Sequence, residues 1–233
     1  MVMNSAVSKW VVRAACVAAI AIVVPAIAEG QGNVVGQITI QEKPGESTTD
    51  LGNTVVWLES ASGARTRPAP TNSQMSMDGR KFSPHLRVVT PGSKVDFPNQ
   101  DPFSHNIFSS AEGGAFDLGL YGRGEGKSTV FPKAGAYPIY CNIHARMTGF
   151  IVVVGTTLYT QAGGDGRFMI EKAPAGRYLL HIWHERAPEI TKQLTVGANG
   201  ASGVDVPLDA RGFKFVAHKN KFGQDYKAVG ERY

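Results

Sequence analysis

The sequence predicts an all-β protein long enough for two small domains, and three observations point there. No long stretch repeats its apolar residues at helical spacing. β-Branched and aromatic residues gather instead in short runs, separated by turn residues drawn from 27 Gly and 13 Pro. Beyond an N-terminal segment of 28 residues, about 205 remain, enough for two small cores.

In chain order, residues 1–28 read as an export signal. Lys9 and Arg13 make a positive start, an apolar run follows from Ala14 to Ala26, and Ala26-Ile27-Ala28 is a small-x-small cleavage site. The run is short and Ala-rich for a membrane span, so membrane association is expected only if this segment is retained. Cleavage near Ala28 would deliver the protein to the periplasm or the medium. It would leave 22 basic residues against 19 acidic, a net charge of +3 rather than +5. No dense Lys/Arg block stands out, and nucleic acid is not an expected partner. Cleavage would also remove Cys16, which lies too close to Arg13 for a lipid-attachment cysteine, leaving Cys141 alone. A single cysteine in an exported chain can form no internal disulfide and calls for another role.

Residues 29–72 hold two strand-like runs, Asn33–Ile40 and Thr54–Glu59, separated by the turn chemistry of Lys43-Pro44-Gly45-Glu46. Ser60 to Asn72 is small and polar, a linker or irregular edge. Residues 73–155 carry the chemistry. After the strand-like run Gly135–Tyr140 comes Cys141-Asn142-Ile143-His144-Ala145-Arg146-Met147, a C-x2-H-x2-M loop short enough to turn three side chains to one point. Thiolate and thioether favour Cu(I), while imidazole serves both oxidation states. A further nitrogen is needed from another strand, and His105 in Phe103–Phe108 is the candidate. Two His and one Cys with a distant Met make a blue-copper electron-transfer set. Singly, each residue would read as core filler or a hydrogen-bonded His; the spacing favours one copper held by His105, Cys141, His144 and Met147.

Further motifs stand around that loop: Phe82-Ser83-Pro84, Val95–Asp101, His105-Asn106, Val130-Phe131, Ala134–Tyr137 and Gly149–Val154. With these, the segment from about Met75 to Val154 resembles the cupredoxins, blue copper proteins of the amicyanin and plastocyanin kind; the tight loop is most similar to amicyanin. The resemblance implies a Greek-key β-sandwich with His105 as the buried ligand. It implies that His144 passes the electron at the surface, where a redox partner protein would dock. Asn106 is similar to the Asn that ties the first-His strand to the ligand loop, and Phe97, Pro98, Phe103 and Phe108 would form the apolar shell. Asn142 and Ile143 complete the surroundings of the ligands. Small cupredoxins often carry Pro where this chain has Ile143. That change restores a backbone N–H, which could point at the Cys141 sulfur.

Residues 156–208 return to plain strand texture. The Asp165-Gly166-Arg167-Phe168 and Pro174-Ala175-Gly176-Arg177-Tyr178-Leu179-Leu180 patterns resemble carboxypeptidase regulatory-like, transthyretin-type β-sandwiches. That family's opening strands are missing from this half, yet Gly32–Gly36 and Val55–Leu58 are similar to them. The two flanks are therefore expected to fold together, with the copper segment inserted between them. The tail, 209–233, is basic and aromatic. We expect it to pack along the sandwich or to be partly disordered; the sharper alternative is a docking strip for an acidic partner.

Enzyme chemistry finds little support. There is no His-x-His pair for a copper cluster, no nucleophile–base pair, no phosphate-cradling loop and no zinc-type cysteine cluster. In a strand, His181 and His184 would face opposite sides. His85 reads as a surface residue, and Met75 and Met77 as packing. Two alternatives to electron transfer remain, periplasmic copper carriage and an interaction module built on the second sandwich.

Overall fold

The computed structural model describes residues 30–63 and 68–226. The expected export segment 1–28 lies outside the described residues, as do 64–67 and 227–233. The strands in chain order are β1 (Gln31–Gln41), β2 (Val55–Ser60), β3 (Asn72–Gln74), β4 (Ser76–Asp78), β5 (Lys81–Ser83) and β6 (Leu86–Val89). There follow β7 (Ser93–Pro98), β8 (His105–Ser109), β9 (Phe116–Tyr121), β10 (Gly126–Phe131), β11 (Gly135–Cys141) and β12 (Thr148–Val153). The chain continues through β13 (Tyr159–Gln161), β14 (Arg167–Pro174), β15 (Gly176–His184), β16 (Ala187–Val196) and β17 (Ala201–Asp209). Among the described residues, the only helical element is one 3-10 turn, Leu51–Asn53.

The strands form two sandwiches. In the first, sheet β6-β12-β11-β8-β9 faces sheet β10-β7-β3, with the small β4-β5 hairpin at its side. Phe97, Phe131, Ile107, Ile139 and Ile151 fill the space between the two sheets. The second sandwich is discontinuous. β1 pairs antiparallel with β14, Val34 opposite Ile170, and parallel with β17, Ile38 opposite Val206. β2 lies between β13 and β15, with Val56 opposite both Thr160 and Ile182. Strands on both sides of residues 73–155 thus share both sheets, around a core of Val34, Ile38, Leu58, Ile170 and Leu180.

Side-chain alternation joins the two sandwiches into a stack. On β12, Ile151 and Val153 enter the first core, while Val152 faces the other way into a cluster with Leu86, Val154 and Val55. On β2, Val56 and Leu58 enter the second core, while Val55 and Trp57 turn to this middle layer. A strand buried on both faces reads as a continuous apolar run, which is the texture of Phe150–Val154 and Val55–Leu58. Each such side chain contributes roughly 1.5–3 kcal/mol by leaving water. At the rim of this layer the His85 ring meets the Glu185 carboxylate at 2.6 Å. His85 is half-buried and bridges the sandwiches, rather than being the plain surface residue expected of it.

Candidate metal centre

β11 and β12 form a hairpin whose last pair is Tyr140 with Thr148, so Cys141 to Met147 is its connection. Within it, the Cys141 N–H donates to Met147 O at 3.3 Å and the Met147 N–H to His144 O at 3.0 Å. β8 runs alongside, with Ile107 opposite Cys141. The Asn142 N–H donates to Asn106 O at 2.8 Å, which brings the start of β8, and therefore His105, against the loop.

Three of the four expected ligands converge. One ligand atom each from His105, Cys141 and His144 lies within 4.8 Å of the others. Cys141 Sγ is 3.5 Å from His105 Nδ1 and 3.3 Å from His144 Nδ1. Donors each about 2.0–2.3 Å from one shared ion would stand at nearly such separations. Met147 is buried beside Cys141 in the same apolar cluster.

The protonation chemistry suits a cation. His105 Nε2–H donates to Asp101 Oδ2 at 2.8 Å, which leaves Nδ1 with its lone pair toward the sulfur. Burial lowers the His105 pKa, with Asp101 opposing. Burial also pulls His144 down to about 4, helped by repulsion from His105 whenever that ring is protonated and by the charge of Arg80, so both rings are neutral near pH 7. Burial raises the Cys141 thiol, against the pull of the Ile143, Asn106 and His144 backbone N–H groups. A soft cation would replace the thiol proton and compensate that burial. The donor set fits copper.

Asp101 holds the arrangement from behind. The β4-β5 hairpin turns through Gly79 and Arg80, both at φ 60, the pair of positive values a tight two-residue turn of type I′ requires. That turn points two N–H groups at the Asp101 carboxylate, at 2.7 and 3.0 Å. Burial would raise the Asp101 pKa, but these donors and His105 outweigh it and hold the carboxylate ionised. Phe103 closes one side, 5.3 Å from the His105 ring and 5.7 Å from that of His144, with the Arg80 guanidinium over its face. No supporting role for Asp101 or Arg80 is legible in the sequence. An acidic residue four before a His carries no sign that it will be buried against that ring.

Other expectations fare variously. Asn106 joins β8 to the loop through its backbone carbonyl, whereas its side chain donates to Asp117 Oδ1 at 2.6 Å instead. Asp117 lies on the neighbouring strand β9 and out-competes the loop as acceptor. Asn142 Oδ1 accepts the Lys221 N–H at 2.8 Å. Ile143 is 47% exposed, and its backbone N–H is among the groups that pull the Cys141 thiol pKa down. Met75 and Met77 are fully buried packing residues. His184 is buried and His181 lies on the opposite face, stacked on Trp57.

No family model and no curated protein matches the sequence. Among solved structures, the chain is similar to a purple cupredoxin from Nitrosopumilus maritimus, at 26% identity over 35% of this chain and 99% of that one, TM-score 0.33. It is similar to a Cu-containing nitrite reductase from Thermus scotoductus SA-01, at 29% identity over 38% of this chain and 23% of that one, TM-score 0.34. Amicyanin from Paracoccus versutus is 20% identical over 42% of this chain and 91% of that one, TM-score 0.34.

Proposed function

We propose that this is an exported type 1 copper protein of the cupredoxin kind, which transfers electrons and is not an enzyme. The observation that carries the reading is the buried convergence of His105 Nδ1, Cys141 Sγ and His144 Nδ1, with Met147 packed beside them. Copper, when bound, supplies the Cu(II)/Cu(I) couple. The protein's part is to hold its donors still. Asp101 fixes the tautomer and angle of His105, and the hairpin bonds of Cys141 and Met147 fix the loop. Phe103 flanks both imidazoles and Phe97 lies in the core cluster of Cys141, which keeps water away, whereas Phe108, expected with them, sits opposite Tyr140 on the other face of the sheet and packs on His218. Pro98, expected among them, stands half-exposed at the end of β7. His144, half-buried beside exposed Ile143, gives a redox partner protein its point of approach.

Spectroelectrochemistry of the copper-loaded protein tests this. The expected result is a visible band that bleaches and returns with one electron per chain, with the metal retained throughout. Rapid loss of the reduced ion to a Cu(I) chelator would instead identify a copper carrier.

A further inference from the structure

Residues 210–226, after β17, have no regular secondary structure, yet they lie on the ligand loop and touch four of its residues. The Tyr226 hydroxyl donates to Cys141 O at 2.8 Å. His218 Nε2–H donates to His144 O at 3.2 Å. The Lys221 N–H donates to Asn142 Oδ1 at 2.8 Å. The Arg146 guanidinium sits over the Phe215 ring, 5.1 Å from its centroid.

Ring packing and an ion pair anchor this segment. The His218 ring stacks on Tyr140 at 4.4 Å and 24°, and Tyr226 meets its edge at 5.4 Å. Lys221 Nζ pairs with Asp117 at 2.6 Å, the same carboxylate that accepts Asn106 Nδ2. One network therefore joins the tail, strand β8 and the loop. These contacts suit a brace better than a strip held free for an acidic partner, because His218, Tyr226 and Lys221 are already engaged, although Phe215 and Phe222 stay 52% and 72% exposed.

The loop needs such a brace. It is a short hairpin connection whose own backbone bonds are two, and two of its carbonyls, Cys141 O and His144 O, belong to ligand residues. Donors outside the ligand set that fix ligand residues determine ligand orientation.

We infer that residues 211–226 form a strap that positions the ligand loop, with Tyr226 and His218 as its positioning residues. The inference rests on the copper reading for its consequence, and on the hydrogen bonds alone for its structure. Tyr226→Phe and His218→Phe each remove one donor and keep a ring in place, so the full-length double variant leaves the aromatic packing largely intact.

Two measurements test it. In metal-free protein, amide hydrogen exchange across residues 141–147 should quicken about thirtyfold, the factor expected for losing two hydrogen bonds worth roughly 1 kcal/mol each. Exchange in β1 and β17 of the far sandwich should stay within twofold of wild type. In copper-loaded protein, the visible band should shift and release of the ion to excess EDTA should quicken by about the same factor. Unchanged loop exchange overturns the strap, and so does a rise shared equally with β1 and β17. A wild-type protein that takes up no copper defeats the proposed function, while the exchange measurement still decides the strap.

Discussion

Replacing Asp101 by Asn isolates the group that aims His105. The carboxylate is 5% exposed and accepts from Gly79 N–H, Arg80 N–H and His105 Nε2–H at 2.7, 3.0 and 2.8 Å. Asn is nearly isosteric but has one acceptor oxygen, and its amide group turns donors toward at least one of those three N–H groups. One charge-assisted bond, worth roughly 1.5–3 kcal/mol, is lost. The remaining bonds become neutral and weaker. Relief from burying a charge offsets part of this, so the net cost is about 2–4 kcal/mol. Guanidinium unfolding of metal-free wild type and Asp101→Asn measures it directly. The copper-loaded variant should also show a displaced visible band, because His105 is no longer held in one tautomer and angle. A stability change under about 0.5 kcal/mol with an unmoved band would refute the positioning role.

Three further expectations follow from the same geometry. Ile143→Pro deletes a backbone N–H that pulls the Cys141 thiol pKa down while creating no cavity, since the side chain is exposed. That N–H withdraws charge from the thiolate, so its loss should lower the midpoint potential by roughly 20–45 mV, taking about a third of one charge-assisted hydrogen bond as the redox difference; a rise or no change argues against the bond. The Glu185 carboxylate raises the His85 pKa against the effect of burial, so their pairing stabilises the fold fully below about pH 6.5 and is lost as pH rises through the raised value. Wild-type stability should therefore fall above pH 6.5 by at most about 1 kcal/mol, and Glu185→Gln should flatten that slope; an equal slope in the variant disproves the coupling. Leu86→Ala in the layer between the sandwiches should cost about 2–5 kcal/mol in thermal or denaturant unfolding, and a loss below 1 kcal/mol would mean that layer contributes little.

What could be read from the residues followed physical periodicity. Alternation in Phe168–Ile170 and Tyr178–Trp183 marks strands because one face enters a core, and the doubly apolar Ile151–Val154 marks a strand covered on both sides. β16 runs from Ala187 to Val196, yet its first half carries little strand signature in the sequence. It is an edge strand with Glu189, Lys192 and Gln193 exposed to water, so it has little alternation to show. At the site, the loop spacing places Cys141 and His144 on one turn, and a His followed by Asn placed His105. The surrounding partners come from distant chain positions. Gly79 and Arg80 reach Asp101 across 22 and 21 residues, and Tyr226 reaches Cys141 across 85. Such contacts depend on how the sheets stack, which local patterns do not encode. The same reason explains Asn106, whose residue type suggested a tie to the loop but whose neighbour Asp117 takes its side chain.

The central claim is that the Cys141 sulfur ligates copper. Titrating metal-free protein with Cu(II), in wild type and Cys141→Ser, while recording the visible spectrum tests it most directly. The wild type should develop an intense thiolate-to-copper band that saturates at one ion per chain, and Cys141→Ser should show none. A band of equal intensity in the serine variant, or a wild type that binds Cu(II) without colour, would contradict the account.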